Sequence, residues 1–225
     1  MPGRGGGVVR GALATVVGSS LGSVVTFQYN PESITRTLRP QVSVGDGEEH
    51  AQDVQFADAP TQTISFTAYF DASDALQVGD ETAVKHGIAP QLALLETLAY
   101  PRRSAIADLN ERRKRGELNI QAPPTDSVIL VWGNKRVFPV RITGLTIKED
   151  VFDAALNPIQ ASAQIDVEVL TYGKSVPEDG DYLRFFAYHG ALENDAALVV
   201  TAGSDVKRVQ SLLKTSSRSL DEQNA

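Results

Sequence analysis

Apolar and polar residues alternate with a period of two over much of this chain, the pattern of strands that bury one face. Val25, Phe27 and Tyr29 share one side with Thr26 and Gln28 on the other, and Asn30-Pro31 ends the run. Proline there has no N–H for a ladder, and asparagine favours a turn. Val8 to Val17 supplies a strand before it, through the turn-rich stretch Gly18-Ser19-Ser20 and Gly22-Ser23. Ile34, Arg36 and Leu38 supply a weaker one after it. The cleanest alternation sets Ile64, Phe66, Ala68 and Phe70 against Thr63, Ser65, Thr67 and Tyr69. Between these runs, Pro40 to Pro60 is polar and acidic with little apolar pattern. It reads as a long loop, a kind that is usually functional or mobile.

The period then changes. Pro90 stands at a first helical position, and Leu92, Leu95 and Ala99 with Leu94 and Leu98 recur at helical spacing before Tyr100-Pro101. A basic segment follows as far as Pro123-Pro124. Strand patterns return at Val128 to Trp132 and Arg136 to Ile142, joined by the short hairpin loop Gly133-Asn134-Lys135. They continue at Leu145 to Glu149 and from Ile159 to Leu170. Past Pro177, Leu183 to Val200 and Val206 to Lys214 read as two short helices ahead of a polar tail from Ser216 to Ala225. No repeat at a solenoid period is present.

Many strands, one helix, many strands and a helical tail lack the β-α-β alternation of a parallel sheet. A mainly β fold is expected, an antiparallel β-sandwich or barrel with one flanking helix and a short helical C-terminal extension. Residues 1–175 would form the β domain and residues 176–225 a docking tail outside its core. Val25, Phe27, Ile64, Phe66, Phe70, Ile142, Ile165 and Val167 should point inward.

Composition narrows the function. Hydrophobic residues make up 42% of 225 residues, enough for a sizeable core. There is no cysteine, so thiol chemistry, disulfides and Cys-ligated metals are excluded. A net charge of −7 argues against nucleic acid as a partner. Charge is nevertheless segregated. Asp46, Glu48, Glu49, Asp53 and Asp58 crowd one stretch, and Arg102, Arg103, Arg112, Arg113, Lys114 and Arg115 another. Such blocks are ordinarily solvated loops; the alternative is that they meet across neighbouring copies as subunit-interface residues. The N-terminal apolar run is short and broken by glycines, so no signal peptide is expected. No run approaches the ~20 apolar residues of a membrane span, so a soluble protein without membrane insertion is expected.

Candidate chemistry is sparse. Gly18-Ser19-Ser20-Leu21-Gly22 matches the G-x-S-x-G of a nucleophile elbow, which needs a strand before the serine and a helix after it. Here β-branched Val24-Val25-Thr26 follows, so a hairpin turn explains the match better. Asp71, Asp74, Asp80 and Glu81 lack the spacing of a calcium loop, and Asp71 and Asp74 suit turn capping where a strand leaves the sheet. His50, His86 and His189 are too scattered to form a metal pair. Gly3, Gly5, Gly6 and Gly7 precede no G-K-[ST], so they spell no phosphate loop. Nothing assembles a nucleophile, base and orienter; no catalytic residue, metal or cofactor is expected.

Three stretches together carry a resemblance: Phe27-Gln28-Tyr29-Asn30-Pro31-Glu32; Ile129 to Gly133 with Phe138-Pro139-Val140-Arg141-Ile142; and Phe152 to Thr171. Over about Val8 to Tyr172 the chain resembles the tube-like baseplate proteins of extracellular contractile injection systems, relatives of phage tail-tube and baseplate-hub components. The resemblance implies a tail-tube fold and a structural subunit that forms a homo-hexameric ring at the base of the inner tube. Its partners would be further copies of itself, the inner-tube protein, the spike protein and baseplate wedge proteins. It would be made in the cytoplasm and built into a phage tail-like particle. Many family members carry a LysM module after the tube domain, and Pro177 to Ala225 shows no such signature. The alternative reading is a small β-sandwich module that binds a ligand or another protein.

Overall fold

A computed structural model of the chain describes residues 10–17, 20–44, 54–117, 126–174, 177, 179–199 and 207–208. Seven strands, β1 (Ala12–Val17), β2 (Ser20–Thr26), β3 (Ile34–Val44), β4 (Val54–Asp71), β5 (Ser127–Trp132), β6 (Arg136–Phe152) and β7 (Pro158–Val169), form one sheet. Its order is β2-β1-β5-β6-β7-β4-β3, and all neighbours are antiparallel. The mainly β, antiparallel class is as the alternation indicated.

The sheet does not lie flat. β5 pairs with β6 from Arg136 to Val140, whereas β7 pairs with it from Val140 to Phe152. That stagger along β6 is the shear a sheet needs in order to curl towards a barrel. Curling places Leu13, Val25 and Phe27 from one end of the strand order in one apolar cluster with Ile64, Phe66, Ile165 and Val167 from the other. The two layers of the domain therefore come from a single sheet turned over on itself.

β7 shows why its sequence makes a central strand: Ala161, Ala163, Ile165, Val167 and Val169 are all buried, alternating with Ser162, Gln164, Asp166 and Glu168. The inward set expected from periodicity is buried throughout, apart from Ile142, which is half-buried against the core. Tyr29 departs from the face of Val25 and Phe27 and is 47% exposed, because β2 ends at Thr26. Gly133, at φ +73°, closes the β5–β6 hairpin in a conformation that favours glycine.

Three differences from the sequence pattern have physical causes. First, much of Pro40 to Pro60 is strand and not loop: Val42 pairs with Phe56 and Val44 with Val54. Ladder bonds come from backbone groups, so polar side chains do not prevent them. The register slips between Arg39 and Gln41, where Pro40 has no N–H to give.

Second, the connection from β4 to β5 holds four helices and not one: α1 (Ser73–Gln77), α2 (Glu81–His86), α3 (Ala89–Thr97) and α4 (Arg103–Lys114). α3 is the expected helix, with Leu92 and Leu95 buried. α4 buries no residue, so it shows no apolar periodicity to read. Its last turn carries Arg112, Arg113 and Lys114, where the helix dipole favours cations.

Third, the change of period after Pro177 ends the sheet but not the core. In α5 (Gly180–Ala197), Phe185 and Tyr188 share one face at i, i+3 spacing and are buried in the main cluster. The Tyr188 ring lies 4.5 Å from that of Phe138, and Arg36 Nη1 donates to the Tyr188 hydroxyl at 3.2 Å. The chain divides into two compact units, Met1–Tyr188 and His189–Ala225, so these turns of α5 belong with the β domain. The expected helix Val206 to Lys214 lies outside the described residues apart from Lys207 and Arg208, which are helical.

Candidate functional site: edges and surfaces for assembly

Among the described residues β2 and β3 end the strand order, so each has a partner strand on one side only. An open edge presents unpaired N–H and C=O groups in a row and invites another strand. Both edges also expose large apolar side chains, Leu21 (66%) on β2 and Leu38 (54%) on β3. β4 pairs with β7 only from Gln62 to Asp71. Among the described residues its first part, from Val54, pairs with β3 alone, so the two strands leave the sheet as a two-stranded ribbon.

The glycine of the G-x-S-x-G match has a structural explanation. A β-bulge sits between Ala14 and Val16, and the buried Thr15 Oγ1 there accepts the Ser23 N–H at 2.8 Å. A Cβ on Gly22 would stand 2.4 Å from that same oxygen. Ser20 pairs with Val17 in the ladder and leads into a strand, with no helix after it to aim its hydroxyl. Gly18 and Ser19 lie outside the described residues.

Of the carboxylates around the β4 exit, Asp71 and Asp80 act as caps. Asp71 accepts the Ser73 N–H at 2.7 Å and Gln160 Nε2 at 2.9 Å. Hydrogen bonding from Ser73, with a lesser contribution from Gln160, holds the Asp71 carboxyl below its ordinary 3.8. Asp80 caps α2 by accepting the Ala83 N–H at 2.9 Å. His86 falls in the last turn of α2, and His189 lies 3.5 Å from Glu193; His50 is outside the described residues. No group of three or more His, Asp or Glu among the described residues could hold a metal.

Of the charged interface candidates, Asp46, Glu48, Glu49 and Asp53 lie outside the described residues. Asp58 is exposed on the ribbon, and its carboxylate accepts the Ala59 N–H at 2.6 Å. Several of the arginines are bound within the chain. Arg102 Nε meets Asp126 at 2.6 Å, and Arg112 Nε meets Glu117 at 2.7 Å with Arg115 beside it at 3.2 Å. The hydrogen bond from Arg112, then that from Arg115, holds Glu117 below the usual carboxylate range. Arg103 and Arg113 are exposed on α4. The structure thus gathers the basic residues on α4 and its flanks, and several already have acidic partners of their own.

Other surfaces escaped the sequence pattern. Gln28 clasps the end of β4: its Nε2 donates to the Asp71 carbonyl at 2.7 Å and its Oε1 accepts the Asp71 N–H at 2.9 Å. On α5, Leu183 (59%) and Phe186 (46%) are exposed beside the buried Phe185. An open cleft of about 590 Å³ is lined by Leu98, Tyr100, Pro101, Arg102, Arg103 and Gly22, among others. A second, of about 580 Å³, contains Asp181, whose carboxylate accepts from the Ser127 hydroxyl and from Arg184 Nη1 at 2.8 Å. These bonds employ the carboxylate structurally. No helix among the described residues is long and apolar enough to cross a membrane.

Residues 14–172 match the family described as contractile injection system tube protein. No curated protein matches the chain in sequence. Among solved structures, it is similar to a chain in the tail of an empty gene transfer agent particle, determined by helical refinement with C6 symmetry. The identity is 11% over 70% of this chain and 89% of that one, with a TM-score of 0.33. A chain in the virion of the native gene transfer agent particle is 8% identical, over 70% and 89%, with a TM-score of 0.31.

Proposed function

The chain belongs to the contractile injection system tube protein family, and from that premise we propose that it is a non-catalytic ring subunit whose copies join edge to edge. The observation that carries this reading is the curled seven-stranded sheet with two open edges, β2 and β3. Pairing β2 of one copy with β3 of the next would leave no open edge once the ring closes. A homo-hexamer is the ring proposed. The ribbon of β3 and β4 would reach a neighbouring copy, with Asp58 and the acidic stretch before it facing Arg103 and Arg113 of α4.

Within the particle, we place the ring at the base of the inner tube, where it would adapt the tube to the spike and the baseplate wedge. Support for that position is the resemblance of Phe27 to Glu32, Ile129 to Ile142 and Phe152 to Thr171 to tube-like baseplate proteins. The exposed Leu183 and Phe186 of α5 would supply one docking surface, and residues 189–225, a compact unit of their own, would dock separately in place of a LysM module. Assembly in the cytoplasm into a phage tail-like particle completes the reading.

Leu21→Lys and Leu38→Lys test the edges. A lysine on an exposed edge strand opposes pairing with another strand while costing the monomer little. Each variant of the full chain should melt near the wild-type temperature and sediment as a monomer where wild type sediments as a ring. Rings of normal size from both variants would rule out closure through these edges.

A further inference from the structure

Gln62 and Thr171 are 4% and 2% exposed, and neither the Nε2 of one nor the Oγ1 of the other has a hydrogen-bonding partner among the described residues. Nearly all buried polar groups in folded proteins are bonded, because a donor or acceptor taken from water and left unpaired destabilises the fold. Both residues also stand where the alternation otherwise places apolar side chains. Gln62 precedes the buried Ile64 and Phe66 on the core face of β4, and Thr171 follows the buried Val167 and Val169 as the chain leaves β7.

The two fall at a fork. Gln62, opposite Val169, is the first residue of β4 to pair with β7. Pro60, two residues earlier, has no N–H for the ladder, and the Thr171 carbonyl instead accepts the Lys174 N–H at 2.9 Å. The two segments still run side by side past that point: a Cβ on Gly173 would stand 2.5 Å from Asp58 Oδ1 and 2.8 Å from the Ala59 Cβ. Thr171 is therefore the diagonal neighbour of Gln62, and such residues lie about 7–8 Å apart across antiparallel strands. At that spacing one small molecule can touch both the amide and the hydroxyl.

We propose that a single ordered water bridges Gln62 Nε2 and Thr171 Oγ1 and fills the fork as a fixed part of the fold. The donor set selects water. An amide nitrogen donates and cannot ligate a cation. A buried anion needs a charged partner, and no Lys or Arg is buried among the described residues. An apolar ligand would leave both polar atoms unpaired. Water accepts the Gln62 N–H and donates to the Thr171 hydroxyl oxygen, and buried waters in native proteins serve groups of this kind. The site lies within one chain, so it stands whether or not copies form a ring.

A crystal structure of the full-length chain, at a resolution that orders internal waters, should show one solvent peak within hydrogen-bond distance of both atoms. Urea unfolding of Gln62→Met, Thr171→Val and the double variant gives a second reading. Each single change leaves the other group with a bridge it cannot complete, so the folded-to-unfolded ratio should fall roughly 5–30-fold. The double variant removes both polar groups and their water together, so it should lose far less than the product of the two single losses. Losses that multiply would overturn the proposal, as would single variants as stable as wild type. So would a dry fork in the crystal, a peak bonded to one of the two atoms alone, or a direct hydrogen bond between Gln62 and Thr171. If a variant fails to fold, the wild-type crystal decides.

Discussion

The rings of Phe27 and Phe66 lie 5.2 Å apart, although four strands separate β2 from β4 in the order of the sheet. In a flat sheet, at ~4.8 Å per strand, those two strands would stand roughly 24 Å apart. The contact therefore fixes the curl. Trp132 closes the same seam, 6.4 Å from Phe27 and 5.6 Å from Phe66, edge on to both.

Phe66→Ala should be among the costliest single changes in the chain. Phe66 is 3% exposed, and truncating a buried phenylalanine costs about 3–5 kcal/mol. Urea unfolding gives the loss, and fluorescence of the single tryptophan should shift to the red as water reaches the seam. A loss below about 1 kcal/mol, far under that range, would mean that Phe66 does not hold the curl.

Gln28→Ala tests the clasp on β4. β3 begins opposite Phe66, so the Asp71 end of β4 extends beyond its β3 partner, and the Gln28 amide takes the place of that strand. Removing it strands a part-buried N–H and C=O, for an expected cost of about 1–3 kcal/mol. Denaturation at neutral pH measures it; a variant as stable as wild type would reduce the clasp to a surface contact.

Asp71 should contribute to acid sensitivity. Its folded pKa is depressed below 3.8, chiefly by hydrogen bonding from Ser73. The stabilisation is therefore present above that ordinary value and lost as pH falls through the folded pKa. Asp71→Asn should flatten the drop in melting temperature below pH 4, about where an ordinary aspartate titrates. An unchanged acid limb would assign that drop to other carboxylates.

Ser20 should be inert to a fluorophosphonate probe. Its ladder pairing with Val17 and the strand after it leave no nucleophile elbow. Covalent labelling of Ser20, read by peptide mass, would contradict the structural reading of the motif.

The sequence shows the fold best where burial is periodic. Ile165, Val167 and Val169 alternate cleanly because β7 lies between β6 and β4 with one face in the core. It is silent where burial is absent: α4 buries nothing, and the ribbon of Val42 and Val44 is held by backbone bonds that leave no trace in side-chain pattern. The core contribution of Phe185 and Tyr188 was hidden by a change of period, which marks a new element without saying whether it stays attached. Assembly surfaces were legible only as charge blocks, and several of those arginines turn out to pair within their own chain, as Arg102 does with Asp126. The open edges emerge from strand order, which no local pattern encodes.

The most direct measurement is negative-stain imaging of the purified full-length chain, paired with sedimentation velocity at the same concentration. Edge-to-edge closure predicts closed rings of uniform diameter around a central channel, with a sedimenting mass of six copies. A single monomeric species at every concentration, with no rings in the images, would contradict it.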